Sequence, residues 1–357
     1  MYFKRMILGC IFICISFSIM GCSNLKNEEK IVVLDEEEYK IEENIIEKIE
    51  KYEDVMFMDW MNENEIIISK ENKDIHLVDQ YNEEYSPLNI YSYNFDTKED
   101  KILSLQKYNE EMAILSPDKN HIFYKRSDEY LYTGFIYDVK NNKNIQITKE
   151  HELVGRAGYW LNNKEILLTT AYGKVFIVNT EGKTSLLLDV KDRIYDVLKI
   201  ENKIYYTSKY GELYIYHLDT KQKELMMKDV GRVILSPDYE NLAIVKYEEN
   251  SNQEIIITDL KGTMLSSLSK GNQIRGVSWS PDGRKVAYAV NVNGNIDGIY
   301  ITDLKTQKIN FVTGDFRYIS QQPIKWSSSG KKIIVATRDY NYDIKKLVYT
   351  SYLITFK

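Results

Sequence analysis

Along most of this chain, apolar and polar residues alternate in short β-type runs separated by turn residues, and the runs recur in sets of four. The clearest set runs through Val277–Trp279, Lys285–Val290, Tyr300–Asp303 and Ile309–Thr313. Between its first two runs stands Ser280-Pro281-Asp282-Gly283. Proline there presets φ, aspartate bonds back to the backbone and glycine accepts positive φ. Aligned on the residue that ends the first run, the copies fall at Trp60, Leu115, Trp160, Leu198, Leu235, Trp279 and Trp326, about 44 residues apart. Four strands per copy at that period predict an all-β ring, a seven-bladed β-propeller of four-stranded antiparallel blades over residues 55–357.

All four tryptophans occupy the aligned position, and Pro117, Pro237 and Pro281 follow it two residues later. A large ring at the end of each first strand is expected to pack between neighbouring blades rather than to stack on a ligand. The last copy ends in its third run, Leu347–Phe356, so its blade needs a strand from elsewhere. The β-prone run Ile31–Leu34 is expected to supply it and to close the ring with the N-terminal side of the chain. Ile41, Ile45, Ile49 and Tyr52 recur at helical spacing, which predicts a short amphipathic helix over 38–53 packed on the main domain.

The block Trp279-Ser-Pro-Asp-Gly-Arg-Lys-Val-Ala-Tyr288, with Ile299-Tyr-Ile-Thr-Asp-Leu-Lys-Thr306 downstream, resembles the propeller repeat of TolB-like proteins, relatives of the WD-repeat propellers. The Ser-Pro-Asp-Gly signature is complete only at 280–283. It lacks its glycine at 116–118 and 236–238 and has decayed in the other copies. The resemblance spans about 55–357 and implies the fold; propellers host unrelated activities, so it implies no reaction.

The first residues follow a different pattern. Lys4 and Arg5 precede an apolar run, Met6–Met20, and the run ends in Ile19-Met20-Gly21-Cys22. That length fits a secretory signal over 1–21 rather than a full membrane span. The ending resembles the lipobox of bacterial lipoproteins. It implies a diacylglycerol on the Cys22 thiol, cleavage before Cys22 and an extracytoplasmic protein held on the membrane by lipid. Cys10 and Cys14 leave with the signal, so the mature chain keeps one cysteine and forms no internal disulfide.

Charge divides the chain further. Residues 27–54 carry twelve acids and four bases, whereas the ring is almost neutral. A neutral domain lacks the basic footprint that nucleic acid requires. The acidic arm over 22–54 reads as a tether that anionic headgroups repel.

Candidate chemistry is sparse. His76, His121, His151 and His217 show no metal-ligand spacing, and no metal or cofactor is expected. Gly182-Lys183-Thr184 lacks the first glycine of a phosphate loop, and Asn291–Gly298 lacks the bidentate glutamate of a calcium loop. There is no G-x-S-x-G. Arginine is rarer than lysine, nine against 38, and Arg156, Arg193, Arg232 and Arg275 stand three to five residues before the aligned position of four successive copies. In a ring they would surround one mouth of the channel and grip a carboxylate or phosphate. The alternative is solvated residues paired with Glu152, Asp192 and Asp229. The resulting expectation is a membrane-anchored, non-catalytic domain that binds a protein, a peptide or a cell-envelope ligand, and not an enzyme. The alternatives are a propeller enzyme of lyase or cyclase type using the central channel, or a scaffold or sensor subunit of an envelope or transport complex.

Overall fold

A computed structural model of the chain describes residues 45–357, apart from 79–83, 105–106, 129–130, 150–151, 154–157, 249–251, 293–294, 313–321 and 343–345. These residues build seven four-stranded antiparallel sheets and one two-stranded hairpin, with no helix among them. The first strands of blades 1 to 7 are Val55–Asn62, Asn109–Leu115, Tyr159–Trp160, Ile194–Ile200, Val230–Leu235, Gln273–Trp279 and Lys325–Trp326. The second strands are Glu65–Glu71, His121–Asp128, Glu165–Thr169, Lys203–Ser208, Asn241–Tyr247, Lys285–Val292 and Lys332–Asn341. The expected seven-bladed propeller is therefore the fold.

Blade centres explain the sequence pattern. Second strands such as Ile66–Ile68, Ile166–Leu168 and Ile333–Val335 are buried on both sides, so they read as unbroken apolar runs. The outer strands Asp100–Ile102 and Thr184–Asp189 are largely solvated.

The tryptophans join the blades. Trp160 Nε1 donates to the Ile114 carbonyl at 3.0 Å, Trp279 to Ile234 at 3.3 Å and Trp326 to Ser278 at 3.4 Å. Trp60 donates to the Lys325 carbonyl at 3.0 Å. In each case the acceptor belongs to the preceding blade and stands one residue before the aligned position. Trp60 carries this link across the junction between blades 1 and 7. A buried indole N–H needs such a partner, so the joint supplies both packing and a satisfied donor.

Two expectations about the arm and the register are corrected. Ile46–Glu53 is a strand, not the end of a helix, and it pairs antiparallel with the third strand of blade 7, Lys346–Phe356. The expected closing run Ile31–Leu34 lies outside the described residues, as do 38–44 of the expected helix. Closure thus uses the chain's N-terminal side, as expected, but a later segment of it. The physical reason is the open edge of blade 7: a short isolated helix gains little in water, whereas a strand here gains a complete ladder. A bulge between Ile46 and Lys48 resets the alternation, so Ile46 and Ile49 share one face of the strand and Tyr52 lies on the other. Tyr52 then packs its ring 5.0 Å from Phe57 and 5.9 Å from Phe95 in blade 1. In blade 4, Lys199 rather than Leu198 pairs with the first buried residue of the second strand, Ile204, so that copy is shifted by one residue.

Candidate functional site

In an antiparallel blade, the start of the first strand, the end of the second and the start of the third lie together. Across all blades these points make one end of the ring, here the entry end. The Ser-Pro-Asp-Gly turns lie at the other, the turn end.

The predicted arginines divide at the entry end. Arg232 and Arg275 line one recess of about 90 Å³, together with Tyr247, Gln253 and Gln273. Arg232 Nε donates to Asp196 Oδ2 at 3.1 Å, and the same oxygen accepts the Val233 amide at 3.2 Å. Asp196, in blade 4, is buried and ties that blade to blade 5. The Arg275 guanidinium is half-buried, and burial lowers its pKa. Gly276 follows at φ 65° in the bulge that sets this strand's curve. Arg193 is exposed one blade away, beside Asp192, which takes the Lys209 ammonium at 3.1 Å. Arg156 lies outside the described residues.

A second cluster, between blades 2 and 7, is the one that sequence reasoning missed. In six blades the fourth residue of the buried run in the second strand is small or apolar: Ser69, Thr169, Thr207, Val245, Ala289 and Ala336. In blade 2 it is Lys125, only 2% exposed. Burial pulls its amine down from the usual lysine range to about 7, against the pull of the Glu111 carboxylate. The Nζ lies 4.0 Å from Met112 Sδ and 5.8 Å from the Tyr132 ring centre. Glu111, in the first strand, occupies the position that Arg275 holds in blade 6, four residues before the aligned residue. Burial raises the Glu111 carboxyl, while Arg338, Ser127 and Lys125 favour its charged form. Burial also raises the Tyr132 hydroxyl, to about 12. Met112, between Glu111 and the rest of the strand, has φ 58° and forms the bulge that turns Glu111 toward Lys125.

Glu110 points the other way, into the joint with blade 1. It is fully buried and accepts Ser104 Oγ at 2.6 Å and the Ile90 amide at 3.3 Å. Burial outweighs these hydrogen bonds and pushes its carboxyl up to about 7. The Arg126 guanidinium stacks 4.2 Å above the Tyr108 ring. The sequence did hold a signal for this cluster: a lysine directly after the three apolar residues Ile122–Tyr124, where the other six copies have a small or apolar residue.

The described histidines do not form a cluster with one another. His217 Nε2 meets Glu224 at 3.2 Å on the surface, and His121 packs its ring 6.3 Å from that of Trp160. Among the described residues, no group of three or more His, Cys, Asp or Glu is placed to hold a metal ion.

No protein-family model matches this chain, and no curated protein matches it either. Solved structures do match. An oligogalacturonate lyase in complex with manganese aligns with a TM-score of 0.61 and 12% identity, over 89% of this chain and 98% of that one. An oligogalacturonate lyase from Vibrio parahaemolyticus gives 0.60 and 11%, over 87% and 91%. TolB from Acinetobacter baumannii gives 0.46 and 18%, over 75% and 60%. The expectation of a non-catalytic binding domain, with no enzyme activity, is corrected by the two lyases. Over nearly the whole ring they favour the alternative, a propeller enzyme, although at this identity the likeness itself carries the fold alone. The described residues do not fit a manganese site, so no step through a metal is drawn for this chain. At the level of fold, the chain is a seven-bladed β-propeller, the architecture that the resemblance to TolB-like and WD-repeat propellers implied.

Proposed function

We propose that this chain is a propeller lyase that works at the entry end of the ring on an acidic sugar chain. One observation carries the reading: Lys125, a buried amine brought to about 7 at the one blade position where the other six copies have a small or apolar residue. An amine in that range is neutral often enough at neutral pH to act as a general base. In the elimination, the Lys125 amine takes the proton next to the substrate carboxylate. The electron pair forms a carbon–carbon double bond, the neighbouring carbon–oxygen bond breaks, and the leaving oxygen takes up a proton, with Tyr132 as its donor. The carboxylate has to be neutralised as charge builds up beside it, and guanidinium groups do this with fork geometry. Arg338, next to Glu111, and Arg275 are the candidates, with Arg193 at the same end of the ring. The two oligogalacturonate lyases support this choice of substrate class.

The reading includes an anchor. The lipobox at Ile19–Cys22 supports a lipid on Cys22, an extracytoplasmic address and an acidic tether to the membrane. Acyl labelling of the chain against Cys22→Ala tests it; equal labelling of the two overturns the anchor.

Activity is tested by incubating the full chain with oligogalacturonate and following the ultraviolet absorbance of the conjugated product. Lys125→Met keeps the length of the side chain without the amine and is expected to lower the rate by about 10²- to 10⁴-fold. A wild-type chain that forms no unsaturated product from any uronate polymer sinks the proposal.

A further inference from the structure

The turn end of the ring holds a larger cavity that the lyase reading does not use. It is a groove of about 710 Å³ between blades 3, 4 and 5, within the size range of small-ligand sites. We infer that this groove is a second binding site, for an uncharged sugar chain.

Tyr239 is the first observation. It ends the turn Ser236-Pro237-Asp238 at φ 65° and leaves its ring 51% exposed at the groove. The same turn position is Gly283 at φ 70° in blade 6, Gly330 at φ 69° in blade 7 and Lys119 at φ 63° in blade 2. Glycine accepts this left-handed backbone freely, whereas a bulky aromatic residue is strained there. Of these four blades, blade 5 puts an aromatic ring at this position, and the ring stands open at the groove. Lys119 shows that the turn accepts a non-glycine residue, so the pointer to a ligand is the aromatic ring beside a cavity and not the backbone angle alone.

The second observation is the charge of the lining. Lys199, Lys203 and Lys261 are matched by Glu165, Glu201 and Asp238, so the groove has no net charge. A polyanion or a polycation gains as much repulsion as attraction from such a set. Hydroxyl groups suit it, because each meets both donors and acceptors close by. An aromatic face beside polar groups in neutral balance matches the apolar C–H face and hydroxyl rim of a sugar ring. A peptide strand fits poorly: the groove lies across turns, where no open sheet edge offers backbone pairing.

The third observation is rigidity. The Tyr159 hydroxyl bonds both the amide and the carbonyl of Lys199 across the joint between blades 3 and 4. Lys199 Nζ donates to the Glu201 carbonyl at 2.7 Å, and Asn162 Nδ2 to Glu165 at 2.7 Å. The Tyr205 hydroxyl holds the Leu260 carbonyl at 3.2 Å. The lining is fixed before a ligand arrives, which reduces the ordering that binding requires.

The test is calorimetric titration of the full chain with N-acetylglucosamine tetramer and with maltotetraose, alongside Tyr239→Gly. Wild type is expected to bind one of them. Tyr239→Gly is expected to bind it at least about tenfold more weakly, the size of a lost aromatic contact, while melting no lower than wild type because the backbone strain is relieved. A purely structural Tyr239 predicts the reverse: lower melting and unchanged affinity. Failure of both sugars to bind, equal binding by Tyr239→Gly, or a peptide held with the same dependence on Tyr239 overturns the inference. Uronate elimination by Tyr239→Gly and sugar binding by Lys125→Met keep this outcome separate from that of the lyase reading.

Discussion

Blades 2 and 6 obey the same repeat and bury very different centres. In blade 6 the run Val286–Val290 is apolar apart from the Tyr288 hydroxyl, which meets Thr302 Oγ1 at 2.9 Å. In blade 2 the matching stretch is Ile122, Phe123, Tyr124, Lys125 and Arg126, facing Glu110 and Glu111. Both blades form complete four-stranded sheets. The backbone ladder and the aligned turn are therefore enough to build a blade, and the side chains at the end of the second strand are left free to differ. Blade 6 maximises burial there. Blade 2 instead holds groups whose charges burial disfavours, a pattern typical of functional sites.

Moving the difference from one blade to the other gives the largest expected effect on the fold. Ala289→Lys in blade 6 copies Lys125 into a site without a matching acid, because Arg275 stands where blade 2 has Glu111. It is expected to cost about 3–5 kcal/mol, read by denaturant unfolding. A loss below about 1 kcal/mol would show that the two centres are interchangeable. The reciprocal change, Lys125→Met, is expected to leave stability at pH 7 unchanged or higher while abolishing elimination.

Acidity sharpens the comparison. Glu110 has a raised pKa in the fold, about 7 against 4.5, so its contribution is complete below pH 4.5 and is lost as pH rises to 7. Lys125 has a lowered one, about 7 against 10.5, so its contribution is complete above pH 10.5 and is lost as pH falls to 7. Together they place a minimum of stability near pH 7. Glu110→Gln is expected to flatten the acid side of that minimum and Lys125→Met the alkaline side, as measured by melting across pH. Profiles unchanged in both variants contradict the burial of these charges.

The smallest effect concerns the joints. Blade 6 meets blade 5 through the Trp279 indole, whereas blade 2 lacks a tryptophan and donates its Leu115 amide to Asp59 Oδ2 at 2.9 Å. Trp279→Phe and Asp59→Ala are each expected to lose about 1 kcal/mol, two routes to the same joint. A loss confined to Trp279→Phe would mean that the Asp59 link adds nothing.

How much the sequence reveals differs between frame and site. The ring was legible because Trp60, Trp160, Trp279 and Trp326 mark one recurring place and the Pro-Asp turns follow it. The closing strand was not. Ile46, Ile49 and Tyr52 are spaced like a helix, and only the bulge at Ile46/Lys48 and the vacant edge of blade 7 make them a strand. Of the site, the arginine set was visible as scarce residues in a shared frame. The neutralisation of Arg232 by Asp196 was not, because it depends on a contact between successive blades. Lys125 stood in plain view, but its significance needs the other six copies at the same depth, which only the register supplies.

The closing strand also bears on how the ring comes to be made. Ile46 pairs with Phe356, so the two halves of this ladder leave the ribosome about 300 residues apart. Until the later half emerges, the earlier strand has no partner, blade 7 shows a bare edge and the Trp60 indole has no carbonyl to meet. Assembly of the first six blades can proceed locally, but the circle locks only after Lys346–Phe356 has been made. Translation pauses or chaperones that shield the Ile46–Glu53 segment would act on that last step alone.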